Sequence, residues 1–154
     1  MSDRVLPSAD PEIESTIDDF ERFFSELIGD VADIARSAPN DIVRTLTVAP
    51  HNTLACRVGV TAEQFLHISM DDNGWELDGY AADDVALAKR ILTAAIDGRV
   101  SKRTSPARSE MTVRFTDGTT MSTSSVDGCA ALLIPQPGWR RWGSLTTYEP
   151  YRSA

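Results

Sequence analysis

The side chains best suited to nucleophilic or soft-metal chemistry are few in this chain of 154 residues: His51, His67, Cys56 and Cys129. A nucleophilic thiol needs a base beside it, so Cys56 with His51 or His67 is the pairing to consider. Alternation places His67 beside Phe65 and opposite Leu66 and Ile68, which suits a histidine on the surface of a sheet as well as a base. Zinc needs ligands at close spacing; the histidines lie 16 positions apart, and there is no HExxH or CxxC. Asp71-Asp72-Asn73-Gly74, followed by Glu76 and Asp78, carries oxygen ligands, yet an EF-hand loop needs glycine at its sixth position and an acidic residue at its twelfth. Neither is in register from Asp71, and a hairpin turn accounts for the four residues. GxGxxG and GK[ST] are absent, which excludes phosphate cradling by those loops. The expectation is therefore no catalytic residue, no metal ligand and no cofactor.

Binding chemistry has better candidates. Trp139-Arg140-Arg141-Trp142 joins the two residue types most enriched at interface hot spots, large apolar rings and multidentate cations. The plain alternative is that both tryptophans cover the edge of the core while the arginines pair with an acidic helix. Charge supplies the second candidate. The net charge is −8, and residues 1–41 hold 11 Asp/Glu against 3 Arg, so that segment accounts for all of it. The rest is neutral but contains a basic stretch, Arg99, Lys102, Arg103, Arg108 and Arg114, opposed only by Glu110. An acidic face repels phosphate backbones and disfavours nucleic acid as a partner; a basic protein surface suits it, although acidity also serves solubility alone. Asp18, Asp19, Glu26, Asp33, Trp139, Arg140, Arg141 and Trp142 are the candidate partner-binding residues.

The elements that must position them follow from periodicity. Asp10 caps a first helix with Pro11 in its first turn, and Ile13, Ile17, Phe20, Phe24, Leu27, Val31 and Ile34 form one stripe. Asp18, Asp19, Arg22, Glu26 and Asp33 oppose the stripe, with Asp18, Arg22 and Glu26 at i, i+4 spacing. The stripe could be a coiled-coil seam, but Phe20, Phe23 and Phe24 suit packing on a sheet better. A helix stop is expected at 37–41, around Pro39. Strands are expected at 42–48, 53–60, 65–70 and 75–78, with 71–74 as a turn, forming an antiparallel meander. A core helix follows at 83–97, capped by Gly98. A basic loop at 102–109 leads to a hairpin, with Met111, Val113 and Phe115 on one arm, Asp117-Gly118 as a type I′ turn and 119–124 as the other arm. Residues 129–134 form an apolar run. The whole reads as a single α+β domain over 1–154, a mainly antiparallel sheet with a long N-terminal helix and a second helix packed on one face. Residues 1–9 are expected to be flexible and 136–154 irregular.

With 42% hydrophobic and 25% charged residues, the composition is that of a globular domain. No bilayer-spanning run and no secretory signal are legible, and both cysteines read as reduced, which together predict a cytoplasmic location. Several features give the chain an organisation that resembles bacterial polymorphic-toxin immunity proteins: the acidic helix, Trp75-Glu76-Leu77-Asp78 leading into the second helix, Phe115-Thr116-Asp117-Gly118, and the ending from Trp142-Gly143 to Tyr148-Glu149-Pro150-Tyr151. The resemblance implies a non-catalytic inhibitor that covers the active site of a secreted toxin domain. A protein partner, no membrane, and a monomer or weak homodimer go with it. A secretion chaperone or adaptor holding an exported protein is the first alternative, and an enzyme or small-ligand carrier with scattered site residues the second.

Overall fold

The computed structural model describes residues 10–126 and 137–152; the expectations for 1–9, Cys129 and 129–134 lie outside them. Helix α1 (Pro11–Ile28) starts as its residues dictate: the Asp10 carboxylate accepts from Glu12 N at 2.9 Å, and Pro11 opens the first turn. Its buried face is Ile13, Ile17, Phe20, Phe24 and Ile28.

The helix is shorter than its stripe suggested. Gly29 takes φ +56°, a left-handed conformation that ends the helix, and strand β1 (Ala32–Ser37) begins three residues later. Val31, Asp33 and Ile34 therefore do not belong to α1. The misreading has a physical source: Ile34 shares the inward face of β1 with Ala32, and its apolar side chain happens to fall three residues after Val31, the step that would continue a helical stripe. The i, i+4 pairing of Arg22 with Asp18 and Glu26 does not form either; Asp18 pairs across to β1 instead.

Strands β1, β2 (Arg44–Pro50), β3 (Val58–Ala62), β4 (Leu66–Met70) and β5 (Asn73–Leu77) form an antiparallel sheet in chain order. Leu46, Val48, Val58, Val60, Leu66, Ile68, Met70, Trp75 and Leu77 share its buried face, as period-two alternation requires. The β4–β5 turn is tighter than expected. Met70 pairs with Asn73, leaving only Asp71-Asp72 in the bend, and Asp71 takes φ 49°.

Helix α2 (Ala82–Ile96) buries Ala88, Ile91, Leu92, Ala95 and Ile96, and Gly98 follows it at φ +75° with its N–H on Ala95 O at 3.1 Å. The second sheet runs β8-β7-β6-β9, all antiparallel, from β6 (Val100–Ser105), β7 (Arg108–Arg114), β8 (Thr120–Val126) and β9 (Ser144–Thr147). The basic loop expected at 102–109 is thus two strands around a Pro106-Ala107 turn. Along β6 only Val100 and Ser105 are buried, so no apolar alternation betrayed it.

Asp117-Gly118 does turn a hairpin, but with three loop residues. Phe115 N bonds Thr119 O at 2.8 Å, and Gly118 alone is left-handed, whereas type I′ needs both central residues there. The segment expected to be irregular carries a short helix α3 (Trp139–Trp142), then β9 and a buried Tyr151. The α+β class and the antiparallel pairing stand, with the strands divided between two sheets. One hydrophobic cluster contains residues of α1, α2 and both sheets, including Phe20, Ile68, Leu92 and Met111. No helix among the described residues is long and apolar enough to cross a membrane.

Candidate functional site

Because Val100, Met111 and Val113 turn into the core, strand alternation sends their neighbours Ser101, Arg103, Glu110, Thr112 and Arg114 to the outer face of the second sheet. Register extends that face sideways. Ser122, Thr112, Ser101 and Thr147 lie in one row, and Ser124, Glu110, Arg103 and Leu145 in the next. Thr112 and Ser122 share a hydroxyl hydrogen bond of 2.8 Å. A groove of about 360 Å³ runs along the first row, with Arg99, Ser101, Arg114, Leu145 and Thr147 among its lining.

Helix α3 meets this face. Arg140 Nε donates to Glu110 Oε2 at 2.8 Å, and its guanidinium lies 5.2 Å from the centre of the Trp139 ring. Gly143 permits the approach, since a Cβ there would stand 2.9 Å from Thr104 O and 3.1 Å from Arg103 Cγ. Trp139 is buried, outside the main hydrophobic cluster, whereas Trp142 is 54% exposed and Leu145 56%. Arg99 is bound to Asp97 at 2.9 Å and to Arg114 O at 2.8 Å. Arg103, Arg114 and Arg141 form no ion pair with any described residue. Arg99, Arg103 and Arg114 of the basic stretch therefore share one surface with the Trp/Arg segment, whereas Lys102 turns to the inner face and pairs with Asp72.

The acidic candidates are placed differently. Arg36 of β1 gathers Glu14 at 2.7 Å, Asp18 at 2.7 Å and Glu21 at 2.9 Å, and these hydrogen bonds hold its guanidinium well above its already high pKa. Arg44 takes Glu14 from the other side at 2.5 Å, and Lys89 of α2 takes Asp19 at 2.7 Å. Asp33 faces His51 at 3.2 Å; Glu26 is exposed and in no ion pair among the described residues. The alternative pairing of Arg140 and Arg141 with α1 is not what forms: Arg140 binds Glu110 and Arg141 is exposed.

The chemical candidates are not brought together. Cys56 is fully buried, and burial, followed by the nearby Asp71 charge, pushes its thiol up and away from the thiolate. His51 bonds Asp33, while His67 contacts Trp75 O at 3.3 Å. Asp71 accepts from the Tyr148 hydroxyl at 2.5 Å and Asp72 from Lys102 at 3.0 Å, so both turn carboxylates serve contacts between elements. No group of three His, Cys, Asp or Glu residues among those described could hold a metal ion.

Leu145 and Arg103 went unread as partners in this surface. The only sequence signal for β9 is the short alternation Ser144-Leu145-Thr146-Thr147, and Arg103 was visible as charge without a strand to aim it. Comparisons with family models, with curated proteins and with solved structures gave no match to this chain.

Proposed function

We propose that this chain is a binding protein that docks on an acidic protein surface through α3 and the outer face of β6, β7 and β9. The observation that carries this is the exposure of Trp142 and Leu145 beside Arg103, Arg114 and Arg141, cations with no ion-pair partner among the described residues. Exposed aromatic and aliphatic groups supply desolvation energy on docking, and the surrounding guanidinium groups steer an acidic partner and reject a basic one. Together with the sequence's resemblance in organisation to immunity proteins, this favours a cytoplasmic inhibitor that covers a toxin domain, with the acidic α1 face outside the contact.

The test is capture of the tagged chain from its own host, followed by expression of the recovered partner alone and together with this chain. A partner that arrests growth alone and is silenced by co-expression supports inhibition. Trp142→Ala is expected to raise the dissociation rate roughly 30-fold, the equivalent of about 2 kcal/mol. A partner that is bound only when unfolded sinks the proposal in favour of a chaperone, and undiminished binding by Trp142→Ala removes the proposed surface.

A further inference from the structure

Strand β9 is an edge of the second sheet with no further strand beside it among the described residues, and register shows which backbone groups it offers. Tyr148 N donates to Val100 O at 3.1 Å, in line with the pairings Thr146 to Lys102 and Ser144 to Thr104. In an antiparallel ladder the hydrogen-bonded pairs alternate, so Leu145 and Thr147 turn their N–H and C=O groups away from β6. These four groups bond no described residue. Exposed edges are ordinarily blunted by charge, proline, a bulge or cover. The β1 edge of the first sheet has such protection: it carries Asp33 and Arg36, and Arg36 is tied to three carboxylates of α1. β8, the other edge of the second sheet, is uncharged, but it lies against β5, where Thr123 Oγ1 donates to Gly74 O at 2.9 Å. Ser144-Leu145-Thr146-Thr147 carries no charge and no proline, and all four residues are exposed. Among the described residues, brevity is its only protection.

We infer that β9 is extended by an extended, acidic segment of a protein partner, which adds as a fifth strand to the second sheet. This rests on the docking surface proposed above and specifies how it is engaged. Two outward residues provide up to four backbone hydrogen bonds, each of small net value in water, so flanking side chains must supply the remaining affinity. Leu145 offers an apolar contact on the outer face, and Arg103, its cross-strand neighbour, offers a cation to an acidic side chain of the added strand. A second copy of this chain is the poorer occupant, because edge-to-edge pairing would bring the arginines of two such faces together. A polyphosphate backbone is poorer still, since it lacks the alternating donors and acceptors that a strand edge pairs with.

The probe is an eight-residue peptide of alternating valine and glutamate, with a valine–lysine peptide as its counterpart, added to the full chain. Amide hydrogen exchange is followed by NMR. The acidic peptide is expected to slow exchange at Leu145 and Thr147 by about tenfold or more at saturation, with the lysine peptide having no effect. Proline is tolerated at an edge where the N–H faces outward, so Thr147→Pro should keep Tyr148 protected while abolishing the peptide effect. Leu145→Pro repeats the test at the other outward amide if Thr147→Pro disturbs Tyr148. Unchanged exchange in the parent chain, equal protection by the lysine peptide, or retained peptide binding by a folded proline variant each overturns strand addition. A captured partner that depends on Trp142 but tolerates Thr147→Pro would leave the docking proposal standing and remove only this one.

Discussion

Two charged regions lie on different parts of the molecule, and their charges have different fates. On α1 the carboxylates outnumber cations heavily in the sequence, yet Glu14, Asp18 and Glu21 converge on Arg36, Glu14 also reaches Arg44, and Asp19 reaches Lys89. Around α3 and β9 the sequence charge is modest, but Arg103, Arg114 and Arg141 remain outside any ion pair among the described residues, beside exposed Trp142 and Leu145. Formal charge counts ionisable groups; recognition depends on those whose partners have not already been supplied by the fold. The larger charge is thus used mainly to fasten a helix to its sheet, and the smaller one is available to a partner.

The largest expected effect tests whether α1 is held by packing more than by charge. Phe24 is fully buried between the helix and the sheet. Phe24→Ala should cost about 3–5 kcal/mol, the transfer term plus the cavity left behind, read as a fall in the urea midpoint at unchanged slope. A loss below about 1 kcal/mol would mean that the ion pairs carry the helix and would reverse the comparison.

A smaller effect separates the two regions by pH. The segment after β9 is fastened by phenols: Tyr151 donates to Cys56 O at 2.6 Å and Tyr148 to Asp71. Burial raises both phenols above their usual range, with Asp71 adding to the shift at Tyr148, and burial raises the Cys56 thiol as well. A raised acid favours its protonated form in the fold, so its contribution is complete below the unfolded pKa and is lost as pH rises through the folded one. Stability should therefore be insensitive to these groups up to about pH 8.5, begin to fall as unfolded thiols ionise, and fall more steeply above about pH 10. Tyr151→Phe should cost about 1–2 kcal/mol at neutral pH and flatten the steeper decline. An unchanged alkaline profile in that variant would show that the phenol does not fasten this segment.

How much of this was legible depends on what kind of signal each element carries. The α1 stripe as far as Phe24, the alternation at 44–48, 58–60 and 66–70, and the α2 core face were readable because burial of apolar groups leaves a period in the sequence; 53–57, expected in a strand, is instead a turn and a connection with Leu54 exposed. The end of α1 was misread because Ile34 extends the stripe while standing on β1, and only Gly29 marks the break. β6 and β9 were missed because both faces of each are largely polar, so no period exists to read. The candidate surface was half visible for the same reason: residue types showed Trp142 and the arginines, but register alone brings Arg103 opposite Leu145.

The smallest effect concerns the ion pairs themselves. Arg36 is about a third exposed, and its three carboxylate partners are exposed to a similar or greater degree, so solvent screens each contact. Removing the guanidinium loses three screened attractions and leaves Glu14, Asp18 and Glu21 close together with only Arg44 beside Glu14. Arg36→Ala should accordingly cost about 1 kcal/mol at low ionic strength, and most of that loss should disappear near 1 M salt, where the Debye length falls to about 3 Å. Leu145 lies on the other sheet and Trp142 on α3, so partner binding should be unaffected by the same substitution. If Arg36→Ala weakened binding as much as Trp142→Ala while stability held, the acidic helix would be the contact surface, and the basic face would be the one engaged in ordinary solubility.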